Sequence, residues 1–232
     1  GLFGDEADGP TRMAIGPDGL LYVLQWNGDG KVLRYETDGT YLGPFTDLGI
    51  ARGIGIAWDS KGKLYVSSYN QDLVRVFDAE GNDLGNFIDS GLNGPTDIWF
   101  TISGGLHVNN YNTGEVFRFN LVGEFQETLI SGILWNEGIA IVPPFDFLIG
   151  GGQAGVVNKY NADGTFVEEL ISSEPLNLLT PNAVVRRDLI TVSTVDVLAS
   201  EDVVISPVPG DYFKIRSESN LGIREIEVID AT

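Results

Sequence analysis

Three pairs of adjacent side chains have a chemistry that recurs along the chain: Trp26-Asn27, Tyr69-Asn70 and Tyr111-Asn112. An aromatic ring offers a flat apolar face, and the amide beside it offers both donors and an acceptor. That combination can stack on a sugar ring and hydrogen-bond its hydroxyls. The same residues have a plainer use, with the ring filling a wedge between packed sheets and the Asn closing a turn; both readings fit the sequence. Other chemistry is excluded outright. There is no Cys, so disulfides, thiolate metal sites and a thiol nucleophile are absent. The single histidine, His107, cannot build a His metal cluster. It aligns with Tyr22 and Tyr65 and is expected to be a buried strand residue. Asn27 to Lys31 (NGDGK) lacks the acidic spacing of an EF-hand and reads as a turn.

What positions these pairs is a repeat of 41 to 43 residues. One element runs LLYVLQWN (20–27), KLYVSSYN (63–70), GLHVNNYN (105–112) and FLIGGGQA (147–154), so the fourth copy puts Gln153-Ala154 where the others carry aromatic-Asn. A second runs KVLRYETDG, LVRVFDAEG, EVFRFNLVG and VVNKYNADG. Each unit holds short β-branched and aromatic runs separated by Gly, Asp, Asn and Pro, with no helical spacing. PDG, SKG and SGG read as turns after the first strand, and TDG, AEG and ADG as turns after the third. Four strands per unit is the blade of a β-propeller, and strands apolar on both faces fit sheets covered on either side. The fold class is therefore all-β, a propeller of four-stranded blades over residues 1–200. The units run about 11–50, 51–92, 93–134, 135–178 and a faded 179–200, with residues 1–6 as a strand closing the ring. Five blades are expected, or six if part of the ring is missing from this sequence.

The stretches leading into each unit supply polar candidates for one end of the channel: Thr11, Arg12, Arg52, Thr96, Asp97, Glu137 and Asn182. The whole surface is acidic, with 33 Asp and Glu against 14 Lys and Arg and a net charge of −19. Such a field repels phosphate, so no nucleic-acid partner is expected, and it leaves room for cations such as Ca²⁺. No apolar run is long enough for a membrane-spanning helix, and no membrane insertion is expected.

The period, the GPT…DG-LYV lead-in and the V-x-R-Y/F third strand resemble the NHL and SMP-30-like group of propellers over residues 1 to about 195. Those motifs define a fold that hosts many activities. The resemblance implies, as one alternative, a Ca²⁺-dependent hydrolase or lactonase, for which a Glu, two Asn and an Asp converge on the ion. Asp97, Glu137 and Asn182 have suitable chemistry. Aligned on the LYV elements, however, Asp97 falls with Arg12 and Gly55, and Glu137 with Pro10, Gly53 and Pro95. Such a set shares no register, so no catalytic residue and no cofactor is expected.

The repeat stops near Glu201. Beyond it come a strand VVIS, a Pro-x-Pro break, a strand YFKIRSE, a turn SNLG and the alternating strand IREIEVID. Alternation of apolar and charged residues marks a sheet covered on one face only, and hence a second domain over 201–232. The order of these motifs resembles the start of the type A C-terminal sorting domain of the type IX secretion system. Pro207, Pro209, Phe213, Ile215, Ile226, Val228 and Asp230 fill the family's positions, while Val208 stands where the family has Asn. The resemblance implies a partial Ig-like β-sandwich and a partner in the type IX machinery of Bacteroidota. It also implies a secreted or outer-membrane-surface location on a Gram-negative bacterium. The combined expectation is a binding or scaffold propeller, exported as cargo, whose ligand is a surface protein or glycan. Its binding candidates are Trp26, Asn27, Tyr69, Asn70, Tyr111, Asn112, Arg12 and Arg52.

Overall fold

The computed structural model describes residues 7–101, 104–143, 145–173 and 178–184, together with the backbone of three strands beyond residue 200. The chain falls into two compact units, 1–186 and 187–232. The first is built from antiparallel four-stranded sheets whose strands lie side by side in chain order. Blade one holds β1 (Pro10–Ile15), β2 (Leu21–Gln25), β3 (Leu33–Tyr35) and β4 (Tyr41–Pro44). Blade two holds β5 (Gly53–Trp58), β6 (Leu64–Ser68), β7 (Leu73–Phe77) and β8 (Asp83–Ile88). Blade three holds β9 (Pro95–Phe100), β10 (Leu106–Asn110), β11 (Glu115–Phe119) and β12 (Phe125–Ile130). Blade four holds β13 (Asn136–Val142), β14 (Asp146–Gly151), β15 (Val156–Tyr160) and β16 (Phe166–Ile171).

The first strands β1, β5, β9 and β13 are neighbours around the centre, and the fourth strands lie outermost. Burial follows that order. Every residue of β2, β6 and β10 is buried, whereas β16 is exposed along its length. Apolar side chains from facing blades pack into the wedges between them, such as Tyr22, Leu24 and Val32 against Leu64, Val66 and Phe77. Each such side chain, fully buried, contributes roughly 1.5–3 kcal/mol. The hairpins turn on glycines in the left-handed region, at φ 82° for Gly19 and Gly62 and 87° for Gly81, as the PDG, SKG and AEG signals predict.

Four blades stand among the described residues where five were expected. The proposed closing strand, 1–6, and residues 185–200 of the faded fifth copy lie outside the described residues. Its first residues are visible, packed against blade four. A Cβ on Gly138 would come 2.9 Å from the Ala183 nitrogen, and one on Gly150 2.2 Å from the Pro181 carbonyl oxygen. Gly55 makes the same kind of approach to Thr96 and Ile98 of the next blade. Pro181 to Ala183 thus run beside blade four as β9 runs beside blade two.

Strand pairing corrects the sequence alignment of blade four by one residue. Phe147 pairs with Tyr160 as Leu21 pairs with Tyr35 and Leu64 with Phe77. Gly152-Gln153, and not Gln153-Ala154, therefore occupies the aromatic-Asn position. In the first strands, Asn136 pairs with Gly151 as Pro95 pairs with Asn110. Glu137 accordingly matches Thr11, Ile54 and Thr96 instead of Pro10, Gly53 and Pro95. The alignment slipped because blade four has no aromatic in the middle of its second strand to anchor it.

In the second unit, β17 (Val203–Val208), β18 (Tyr212–Ser217) and β19 (Ile226–Ile229) form an antiparallel sheet in that order. β17 continues through Pro207 to Val208, past the Pro-x-Pro break read from the sequence. Among the described strands β17 lies at the edge of its sheet, the position where Pro is tolerated. In register, Pro207 lies opposite Phe213 and Phe213 opposite Val228, with Ile215 opposite Ile226. Pro209 and Asp230 fall outside the described residues.

Candidate functional site

One end of the channel is framed by the loops that lead into each first strand and those that leave each second strand. They are tied in pairs by one repeated backbone bond. The N–H of Trp26 donates to the Gly9 carbonyl, that of Tyr69 to Arg52, Tyr111 to Gly94 and Gly152 to Trp135, at 2.7 to 3.1 Å. The acceptor residue is left-handed in all four blades, with φ of 63° at Gly9, 55° at Arg52, 64° at Gly94 and 59° at Trp135. Glycine adopts that conformation freely, whereas Arg52 and Trp135 hold it at a cost of order 1 kcal/mol each. Asp72, in the loop that leaves β6, is left-handed too, at φ 52°.

Trp135 resolves the missing aromatic of blade four. A Cβ on Gly152 would lie 3.2 Å from the Trp135 Cβ and 2.9 Å from its carbonyl oxygen. The outgoing loop has given up its aromatic, and the incoming loop supplies one in its place. The result is an unbroken arc of rings. Trp26 and Tyr69 lie 5.7 Å apart, Tyr69 and Tyr111 5.8 Å, and Tyr111 stacks on Trp135 at 6.4 Å with 10° between planes. Arg52 caps the arc, its guanidinium 4.6 Å from the Trp26 ring.

The rim amides are engaged with their neighbours. Asn27 accepts from Arg52 Nη1 at 3.1 Å and donates to Asp8 at 3.3 Å. Asn112 accepts from the Tyr69 hydroxyl at 3.2 Å and donates to Asn93 at 2.9 Å. Both fix the loops that carry the rings. Asn70 is exposed and borders a separate surface depression with Arg52 and Gln71.

Beneath the arc the channel is closed by charge. At one register position around the centre stand Arg12, Gly55, Asp97 and Gly138, so a long cation from blade one faces a carboxylate from blade three, with glycines on the blades between. Arg12 Nη2 donates to Asp97 Oδ2 at 2.7 Å and lies 3.8 Å from Glu137 Oε1. Arg12 Nη1 reaches the Asn182 carbonyl at 3.4 Å. Asp97 Oδ2 also accepts from the Gly138 N–H at 2.6 Å. The threonines beside this floor clasp adjacent blades, Thr11 Oγ1 donating to the Gly53 carbonyl and Thr96 Oγ1 to that of Asn136.

Burial pushes the Asp97 carboxyl up, and the Arg12 charge and the Gly138 N–H pull it back. Glu137 is raised to about 7, first by burial and then by the nearby Asp97 charge, against a smaller opposing effect of Arg12. Tyr111 is raised by burial and by the charge of Glu137. Between floor and rim lies a cup of about 470 Å³ lined by Trp26, Tyr69, Tyr111, Thr11, Thr96 and Glu137.

The three residues considered as metal ligands thus do meet, but around a guanidinium. Among the described residues no group of three or more Asp, Glu, His or Cys side chains is arranged to hold an ion. Asn182 contributes its carbonyl to Arg12, and the guanidinium stands where a divalent cation would have to bind. The donor set does not fit Ca²⁺. His107 is 2% exposed in the wedge between blades three and four, and burial lowers its pKa to about 4. Of the residues that sequence reading missed, Trp135 is the most consequential.

No family model matches the chain, and no curated protein does. Solved structures do. A chain from a nidogen/laminin complex superposes with a TM-score of 0.66 at 16% identity, over 76% of this chain and 67% of that one. An inactivated virginiamycin B lyase from Staphylococcus aureus, crystallised with quinupristin, gives 0.62 at 12% identity, over 97% and 71%. A second crystal structure of virginiamycin B lyase from Staphylococcus aureus gives 0.60 at 13%, over 98% and 72%. Likeness at these identities establishes the β-propeller fold, and nothing about activity.

Proposed function

We propose that this propeller is a recognition module that takes a carbohydrate in the aromatic cup at its channel mouth. The observation that carries the reading is the arc of Trp26, Tyr69, Tyr111 and Trp135. Trp135, and Arg52 which caps the arc, hold a left-handed backbone that glycine takes at the same place in blades one and three. Stacked rings above a floor of carboxylates suit the apolar face and hydroxyl edge of a sugar. The floor itself is neutralised by Arg12, which favours a neutral ligand over a cation. Propellers of this shape serve both classes of work: one similar solved chain comes from a nidogen/laminin complex, and another is a lyase.

Glycan-array binding followed by titration calorimetry tests the reading. Tyr69→Ala and Trp135→Ala should each weaken the best glycan by tenfold or more, with the fold intact. Unchanged affinity in both variants would sink it. Titrating Ca²⁺ into Arg12→Gln serves the competing metal-enzyme reading, which requires an ion to replace the guanidinium.

The same proposal extends to location. The motifs around Pro207, Phe213, Ile215, Ile226 and Val228 support export by the type IX route and display outside a Gram-negative cell. Deleting residues 201–232 in a bacterium that carries this machinery should leave the protein in the periplasm. Undiminished export of the truncated chain would refute it.

A further inference from the structure

The repeat supplies its own control for the wedges between blades. Between blades one and two, Tyr22 packs edge-on against Phe45 and Trp58 at 5.0 and 5.1 Å. Between blades two and three, Tyr65 packs the same way against Phe87 and Phe100, both at 4.9 Å. Each tyrosine satisfies its hydroxyl on a turn carboxylate, Tyr22 on Asp18 at 2.9 Å and Tyr65 on Asp59 at 3.4 Å.

Strand register identifies the matching positions between blades three and four as His107, Leu129 and Ile141. All three rings of the repeat have been replaced by smaller side chains. Elsewhere the substitution runs the other way. Trp99, directly across from His107, stands where blades one and two have Ala14 and Ala57. Phe147 stands where they have Leu21 and Leu64. The wedge has been rebuilt with its aromatic surface moved to the walls, and a cavity of about 420 Å³ occupies the place of the missing rings.

Its polar groups are left without partners. Trp99 Nε1 and both ring nitrogens of His107 are buried and find no hydrogen-bond partner among the described residues. A buried donor or acceptor without a partner costs about 1–3 kcal/mol, so three such atoms, on two residues that line one cavity, call for an occupant that supplies what the tyrosines' carboxylates supply elsewhere. Burial keeps His107 neutral, so it presents one N–H and one lone pair. Trp99 presents a donor alone. Arg118, opposite His107 in register and half-exposed, bridges to Glu127 at 3.1 Å beside the opening.

We propose that this wedge is a second binding site, for a flat, mainly apolar molecule of one or two fused rings that carries a hydrogen-bond acceptor. The volume suits a small ring system, the walls of Trp99, Phe147 and Phe145 are aromatic, and the unpartnered Trp99 N–H selects an acceptor.

Indole N–H signals of the ¹⁵N-labelled full chain report on it, since the protein has four tryptophans and Trp99→Phe assigns the relevant signal. Quinoline and naphthalene are the probes, alike in shape and differing in the ring nitrogen. Quinoline should shift the Trp99 signal and bind roughly fivefold more tightly than naphthalene, the worth of one hydrogen bond. Ile141→Phe, at a position 45% exposed, should restore a ring to the wedge and abolish both titrations. His107→Phe should narrow quinoline's advantage while the cavity remains. An unmoved Trp99 signal, equal affinity for the two probes, or binding indifferent to Ile141→Phe would each overturn the proposal.

Discussion

Arg12 is the residue on which the centre of the molecule depends, because it compensates a carboxylate that has almost no water. Breaking such a pair from one side leaves a buried charge alone, typically at 3–5 kcal/mol. Arg12→Met should therefore lower stability in urea by about 3 kcal/mol, and adding Asp97→Asn should recover part of the loss. Additive losses would show that the 2.7 Å contact carries no coupling. Glu137 makes a second prediction, and its sign follows from linkage. Its pKa in the folded protein, about 7, lies above the ordinary 4.5. Between those values the native state holds a proton that the unfolded state has lost, so this group's contribution falls as pH rises through that window. Glu137→Gln should raise stability relative to the parent at pH 8, by on the order of 2 kcal/mol, and change little at pH 4. Melting curves at the two pH values decide it. Of these residues, sequence reading picked out every one by type, yet it could not see that Arg12 would sit among the carboxylates. That depends on blades one and three facing each other across the channel.

At the scale of the strand, the repeat was legible because its hydrophobic pattern and Gly turns recur at the same offsets. What was not legible was the register of blade four. Gly150 to Gly152 carry no side chains to align, and only the pairing of Phe147 with Tyr160 fixes them. That single-residue slip hid the exchange between Gly152 and Trp135, since the ring moved from one loop to the loop bonded to it. Close approach between first strands sets a further requirement. A Cβ on Gly55 would meet the Thr96 carbonyl oxygen at 2.2 Å, a backbone atom that cannot move aside alone. Gly55→Ala should force blades two and three apart and lower stability by at least about 2 kcal/mol. Calorimetric unfolding of the variant checks this, and a loss below about 0.5 kcal/mol would mean that the strands separate freely.

For the molecule as a whole, the acidic excess is the dominant long-range force. A net charge of −19 repels itself, and added salt screens that repulsion over about a Debye length. Raising NaCl from 10 to 300 mM should raise the melting temperature by about 3 °C, equivalent to roughly 1 kcal/mol for a chain of this size. A fall instead would mean that exposed ion pairs such as Arg118–Glu127 outweigh the repulsion. Composition made this charge plain from the start, whereas the wedge between blades three and four stayed hidden, because a lone His in place of Tyr looks like ordinary core variation. Its meaning needs all three exchanged positions, and these lie on different strands of two blades.

The contact between Arg12 and Asp97 also bears on the order of events as the chain is made. The two residues are 85 positions apart, and no nearer carboxylate stands at their register. A nascent chain presents β1 ahead of blades two and three, before the carboxylate that pairs with its cation has been made. The hairpins within each blade are local and form early, but joining blade one to blade three closes a long loop and is slow. The guanidinium can engage only once blade three exists, so it latches late a first blade already packed against blade two.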